Sequence, residues 1–222
     1  MSGHNTGSTE VIDMETPSLT CQSFGTITTR PRAVGGLLQE KPIVCGGLSY
    51  SIRQSCLIFG ESQTVTMTQA RYYAASVVLN STTMWVIGGY SGSSAVLSTE
   101  FITLEKSVPG PSLPEVLYSF CAVKFNESQI YVIGGLNGPQ KRNLVYIFNP
   151  LDNFSYTQGP SMYNYRYTHA CSVMHFGGSS AVVVAGGRGG TYSSASSYLN
   201  SVEIYDPSIG QWQYGKKISL IQ

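Results

Sequence analysis

The chain has 222 residues, a formal net charge of +1 and only 11% charged residues, where an average globular domain carries ~25%. That length supports one sizeable core, and the near-neutral balance excludes a polybasic nucleic-acid binder and a highly charged disordered chain. No apolar run reaches the ~18 residues that cross a bilayer as a helix, and residues 1–10 lack the apolar core of a secretory signal.

From the N-terminus, residues 1–7 read as disordered, and residues 8–13 and 19–27 as two strands. From residue 30 the chain repeats. Four short apolar runs, 42–47, 84–89, 130–135 and 182–187, each end in paired glycines: Gly46-Gly47, Gly88-Gly89, Gly134-Gly135 and Gly186-Gly187. The first glycines are 42, 46 and 52 residues apart. Each run is the second of four strand-like segments, A to D, bounded by turn residues. The A segments are 34–38, 73–79, 120–125 and 169–174. The C segments are 56–59, 100–104, 144–148 and 202–205, and the D segments 63–67, a poorly defined stretch near 106–108, 154–158 and 212–216. Asn and Gly fill the A–B and C–D turns because they tolerate left-handed backbone. No stretch shows a capped 3.6-residue period, so no helix is expected.

Four-stranded antiparallel sheets at such a period are propeller blades, and the pattern resembles the kelch repeat family. The resemblance rests on the Gly-Gly runs, on aromatics in segment C, and on a Trp in segment D. The fourth unit fits best, with Gly186-Gly187, Tyr205, Asp206-Pro207 and Trp212. The third has Phe148 and Phe154; the first two lack the segment-D Trp, and Trp85 stands in segment B instead. The resemblance covers residues 8–217 and implies an all-β fold, a kelch-type β-propeller of four-stranded antiparallel blades. The expected organisation is an outer half-blade at 8–29 and blades at 30–68, 69–114, 115–164 and 165–222. That is fewer than the family commonly uses to close a ring, so the chain reads as a fragment of a larger propeller.

Four glycine pairs at one period point to architecture, since a phosphate-cradling loop needs a helix after the glycines. Function is expected on the face carrying the B–C and D–A loops, because loops on a rigid scaffold are where recognition resides. Eight of the 13 basic residues fall there: Arg30, Arg32, Arg53, Arg71, Lys141, Arg142, Arg166 and Arg188. Glu115 is the one acidic residue clearly among them. Arg32, Arg71 and Arg166 recur before segment A, with Val116 at that place in the third blade, and read as framework. Arg53, Lys141, Arg142, Arg188, Tyr192 and Tyr198, with Tyr72 and Tyr167, read as partner-binding. Arg and Tyr dominate interface hot spots. The expected function is a non-catalytic scaffold binding a protein or acidic peptide. The alternatives are an extracellular glycan- or ligand-binding propeller and, behind it, a copper radical oxidase-like enzyme.

Such an oxidase needs two Tyr and two His around copper, and the three histidines here, His4, His169 and His175, do not converge in sequence. His169 and His175 would lie ~20 Å apart on one strand. No cofactor or metal is expected. Asn80, Asn126 and Asn153 head N-x-[ST] sequons on turns of the opposite face, which makes them candidate glycosylation sites. Of five cysteines, Cys45 and Cys56 face each other across the B–C hairpin and are expected to bridge. Cys121 and Cys171, at equivalent places in segment A, read as core thiols. Sequons and a bridge favour an extracellular location if the N-terminus is truncated, and a cytoplasmic one otherwise.

Overall fold

The computed structural model describes residues 28–216 in full, with the backbone of 8–12 and 21–26. The expected disorder of residues 1–7 lies outside the described residues. The N-terminal hairpin pairs β1 (Ser8–Ile12) with β2 (Cys21–Thr26). Four antiparallel four-stranded sheets follow. Blade one is β3 (Val34–Leu38), β4 (Lys41–Cys45), β5 (Ser55–Ile58) and β6 (Thr64–Thr66). Blade two is β7 (Ala75–Asn80), β8 (Thr83–Ile87), β9 (Thr99–Ile102) and β10 (Ser107–Pro109). Blade three is β11 (Cys121–Asn126), β12 (Gln129–Asn137), β13 (Gln140–Asn149) and β14 (Ser155–Gly159).

In blade four, β15 (Tyr165–Tyr167) precedes the innermost strand β16 (Ala170–Phe176) and β17 (Ser179–Ala185). Next come β18 (Arg188–Gly190), β19 (Ser197–Tyr198), β20 (Val202–Asp206) and β21 (Gln211–Tyr214). The blade itself is β16-β17-β20-β21, and β15-β18-β19 form a small second sheet above it. No helix occurs among the described residues.

The period-2 alternation of each second strand stacks the blades. In β8, Met84 and Val86 pack toward blade one, in a cluster with Leu38, Ile43, Cys45 and Ile58. Trp85 and Ile87 turn the other way, to Ile130, Val132 and Phe148 of blade three. In β12, Tyr131 and Ile133 in turn meet Val182, Val184, Tyr205 and Trp212 of blade four. A fully buried Trp on an inner strand can thus do what the outer-strand Trp does elsewhere. Trp85 fills the blade two–three interface against Phe101, Phe148 and Phe154, with ring centroids 6.4, 5.2 and 5.0 Å away. Trp212 fills the next interface and donates its indole N–H to Pro160 O at 2.8 Å.

Two further joints lock neighbouring blades. The second glycine of a pair donates its N–H to a carbonyl of the next blade: Gly47 to Arg71 O at 2.9 Å and Gly89 to Leu117 O at 2.8 Å. The first glycine leaves that carbonyl its room; a Cβ on Gly88, at φ 55°, would sit 2.7 Å from Leu117 O and 2.9 Å from Leu113 Cδ1. Nearer the axis stands a collar of residues with left-handed backbone: Arg32 (φ 63°), Tyr73 (φ 55°), Ser119 (φ 56°) and Thr168 (φ 53°). Their backbones bond head to tail. Tyr73 N–H donates to Arg32 O, Ser119 to Tyr73 O and Thr168 to Ser119 O, at 3.2, 2.9 and 2.7 Å.

The collar explains one departure from the sequence reading. The innermost strands of blades two to four begin at 75, 121 and 170 rather than at 73, 120 and 169, because a positive φ ends extended pairing just before them. Two loops also differ. Residues 136–143 extend the β12–β13 hairpin rather than forming a loop, and the 188–200 loop is folded into β18 and β19.

Cys45 and Cys56 are register partners on β4 and β5, at disulfide distance, with Cα atoms 3.9 Å apart. Cys121 and Cys171 are not the separate core thiols expected. They too lie at disulfide distance, Cα atoms 6.0 Å apart, linking the innermost strands of blades three and four. Equivalent positions of adjacent blades come together where the strands converge on the axis. Cys21 is described in its backbone alone.

The glycine joint has a measurable consequence. Gly88→Ala combines left-handed strain with a clash against backbone and should destabilise by ~3 kcal/mol or more. Gly60→Ala has φ 82° but nothing within 4 Å of the added Cβ, and should cost only about 1 kcal/mol. Urea unfolding of both variants checks the difference; equal losses would remove the joint from the account.

Candidate functional site

The loop face is built from the collar outward. Immediately before each collar residue stands Pro31, Tyr72, Tyr118 or Tyr167, and immediately after each glycine pair stands Leu48, Tyr90, Leu136 or Arg188. These two rows pair: Leu48 N–H donates to Pro31 O, while Tyr72–Tyr90 and Tyr118–Leu136 bridge in both directions. In blade four the same pairing is Tyr167–Arg188 within β15 and β18. Every blade therefore carries a small crown around the mouth of the axis.

Tyrosines fill that crown. Tyr72, Tyr73, Tyr90 and Tyr118 touch in sequence, with centroids 5.1 Å (72–73), 5.7 Å (72–90), 5.2 Å (90–118) and 6.3 Å (73–118) apart. All four are half-buried. Burial, then the neighbouring phenols Tyr90, Tyr167, Tyr72 and Tyr73, raise the Tyr118 hydroxyl above its ordinary value. Tyr118 Oη–H donates to Gly138 O at 2.9 Å, and the Arg32 guanidinium lies 4.5 Å from the Tyr73 ring centroid. Farther out, Arg188 sits 5.2 Å from the Tyr198 ring, and Tyr192 packs on Tyr165.

The basic residues do not form the open cationic face that the sequence suggests. The recurring framework set is Arg30, Arg71 and Arg166, with Leu117 in blade three; it is not Arg32 with Val116. Each guanidinium reaches back into its own blade. Arg71 donates to Gly88 O and Ser98 O at 2.8 and 2.7 Å, Arg166 to Gly186 O and Ser201 O, and Arg30 to Gly46 O and Ser55 O. Two of them meet buried carboxylates, Arg71–Glu100 at 2.7 Å and Arg166–Glu203 at 2.6 Å. Glu100 also accepts Thr68 N–H, and Glu203 accepts Tyr163 N–H, both at 2.6 Å, fixing the linkers that lead into the crown. Burial alone would raise the Glu100 carboxyl; hydrogen bonds from Ser107 and Thr68 and the Arg71 charge overcome it and hold the carboxyl below its ordinary value.

Blade three keeps an ion pair but exchanges its ends. Arg142, at the start of the third strand, holds Glu115 in the linker, at 2.9 Å from Nη2 and 3.0 Å from Nε. Arg142 is therefore tied within the fold, as is Lys141, whose ammonium donates to Thr191 O and Ser194 O at 2.9 and 2.6 Å. Of the expected partner-binding set, Arg53, Arg188, Tyr72, Tyr167, Tyr192 and Tyr198 remain at least partly open. The structure brings Tyr167 and Tyr192 together around a pocket of about 400 Å³ that Tyr118 and Lys141 also line. Arg53 lies apart in blade one, and Tyr198 sits on the outer strand of the small sheet. Sequence reasoning missed Tyr73, Tyr90 and Tyr118. The register of Tyr118 with Tyr72 and Tyr167 was the signal available for finding it.

Asn80, Asn126 and Asn153 are exposed on turns of the opposite face. Asn80 Oδ1 accepts Thr82 N–H and Asn126 Oδ1 accepts Ser128 N–H, so both sequons sit in Asx turns. No group of three or more His, Cys, Asp or Glu that could hold a metal occurs among the described residues. No helix there is long and apolar enough to cross a membrane. His175 is exposed and bonds Ser180 Oγ at 2.7 Å. His169 is buried just before β16, at the position held by Ala33, Ala74 and Phe120 in the other blades.

Residues 179–217 match the family model described as Kelch motif. No curated protein sequence matches the chain significantly. Among solved structures, one described as "Structure of YjhT" is similar at 11% identity with a TM-score of 0.83, covering 99% of this chain and 80% of that one. With its four-stranded antiparallel sheets, the chain is a kelch-type β-propeller.

Burial, and then the adjacent Arg166 charge, push the His169 imidazole down to about 3 from an ordinary 6.5. The unfolded chain then binds the extra proton below pH 6.5, so this histidine erodes stability as pH falls from 6.5 toward 3. Between pH 7 and 5 the loss should be about 2 kcal/mol. That window lies above the titration of Glu100 and Glu115, both held below 4.5. His169→Phe, which takes the blade-three residue, should flatten it. Denaturation midpoints at pH 7, 6 and 5 test this, and an unchanged slope in His169→Phe would refute it.

Proposed function

We propose that the protein is a non-catalytic binding module that holds an acidic protein partner on its loop face. The observation that carries this reading is the tyrosine crown. Rings that brace one another across the boundary of blades two and three offer large amphipathic area with little rotamer freedom left to lose, as binding hot spots require. The left-handed collar beneath them supports it further, because backbone strain of this kind clusters at binding sites. Arg32, Arg53 and Arg188 supply the positive rim. The opposite face, with the three sequons, stays outside the contact.

A second reading, an extracellular propeller binding a glycan, is favoured by two cysteine pairs at disulfide distance and by the exposed sequons. Bridges of that kind persist in oxidising compartments, and tyrosine faces also stack on sugar rings.

Immobilised wild-type chain, an Arg188→Glu/Tyr198→Ser variant and a Leu151→Asp/Ile209→Asp variant separate the faces. All four side chains are exposed, so folding should survive. Protein captured by wild type should bind the loop-face variant at least about tenfold more weakly and the other variant equally well. Equal capture by all three, or loss only in the turn-face variant, would contradict the proposal. A glycan array that returns ligands where protein capture fails would favour the second reading.

A further inference from the structure

We infer that the pocket between blades three and four is a carboxylate subsite, in which Lys141 receives an Asp or Glu side chain of the bound protein. This rests on the loop-face reading and gives it a specific anchor. Lys141 is a cation only 9% exposed, yet no described carboxylate lies within 4.0 Å of it. In blades three and four the buried Arg166 has Glu203 and the half-buried Arg142 has Glu115. The partners of Lys141 are two neutral carbonyls, Thr191 O and Ser194 O. An ammonium has three donors, so one proton remains, and a desolvated charge without a counter-charge is costly unless a ligand supplies it.

The surroundings suit such a ligand. The pocket is about 400 Å³ and is lined by Tyr118, Tyr167 and Tyr192, with Ser194 and Ser196 at its rim. That volume falls at the lower end of ligand sites, enough for one acidic side chain and its flanking residues. The tyrosine rings supply apolar walls, and the hydroxyls of Tyr167, Tyr192 and Ser196 supply donors for a carboxylate's second oxygen, while Ser194 Oγ–H donates to Thr191 O. The ion pair of Arg142 with Glu115 leaves Lys141 as the cation lining this pocket. The two carbonyl bonds also tie the blade-four loop to blade three, so the ammonium is positioned before any ligand arrives.

The test uses the full chain at 150 mM salt, where charge attraction beyond ~8 Å is screened. Hexaglutamate, hexaglutamine and hexagalacturonate are titrated while the tyrosine ring resonances are followed by NMR. Hexaglutamate should bind and shift Tyr118, Tyr167 and Tyr192, hexaglutamine should not, and Lys141→Gln should weaken hexaglutamate at least about tenfold. Should Lys141→Gln loosen the blade-four loop, Tyr192→Ala gives the second reading, with about threefold weaker binding expected from this exposed position. Equal binding of hexaglutamine, hexaglutamate affinity unchanged in Tyr192→Ala or in a folded Lys141→Gln, or binding of hexagalacturonate alone would overturn the assignment. If hexaglutamate fails while Arg188/Tyr198-dependent capture persists, the subsite falls and the loop-face reading stands; loss of both removes both.

Discussion

The head-to-tail hydrogen bonding of the left-handed collar is the constraint on which the rest of the structure depends. Each blade hands one backbone N–H to the blade before it, through Tyr73, Ser119 and Thr168. A non-glycine residue at φ near +55° costs about 1–2 kcal/mol, so the arrangement persists only because neighbouring elements hold it. The glycine pairs do so on one side, accepting the next blade's carbonyl into space that no Cβ occupies. The inward-turned Arg30, Arg71 and Arg166 do so on the other, fastening the linker to the carbonyls of its own blade. The side-chain core then fills the wedges between blades that the backbone joints have already set.

This division of labour decides what the loop face can present. Guanidiniums that dock backbone carbonyls are not available to a partner, and their carboxylates, Glu100 and Glu203, are equally committed to linker amides. Buried pairs of this kind add little net stability against apolar replacements but cost several kcal/mol when halved; their value here is positional, since they aim the linker that carries the crown tyrosines. Blade three shows that position, not sequence identity, is conserved in the design. With Leu117 in place of the arginine, the same linker is fixed by Glu115 and Arg142 with the charges exchanged.

The repeat, the strand order within each blade and the Gly-Gly junctions were legible in the sequence, because period-2 burial and a fixed glycine spacing leave few alternatives. The Cys45–Cys56 facing was legible for the same reason, as a register consequence of one hairpin. What could not be read was anything set between blades. Cys121 and Cys171 lie 50 residues apart and meet only because innermost strands converge on an axis. The inward turn of Arg142 and Lys141 depends on Glu115 and on the carbonyls of a loop in the next blade, so the number of basic residues suggested a more open cationic face than packing leaves. The tyrosine crown was only partly visible: Tyr72 and Tyr167 stood out by composition, while Tyr90 and Tyr118 become neighbours across a blade boundary that no local pattern marks.

The most direct test of the collar is native-state hydrogen exchange at the amides of Tyr73, Ser119, Thr168, Gly47 and Gly89. If the inter-blade joints hold the blades together, these amides should exchange as slowly as those at the centre of β8 and β12, opening only with global unfolding. Fast exchange at the five joint amides, with the central strands still protected, would show that the blades are held by side-chain packing alone and would contradict the account.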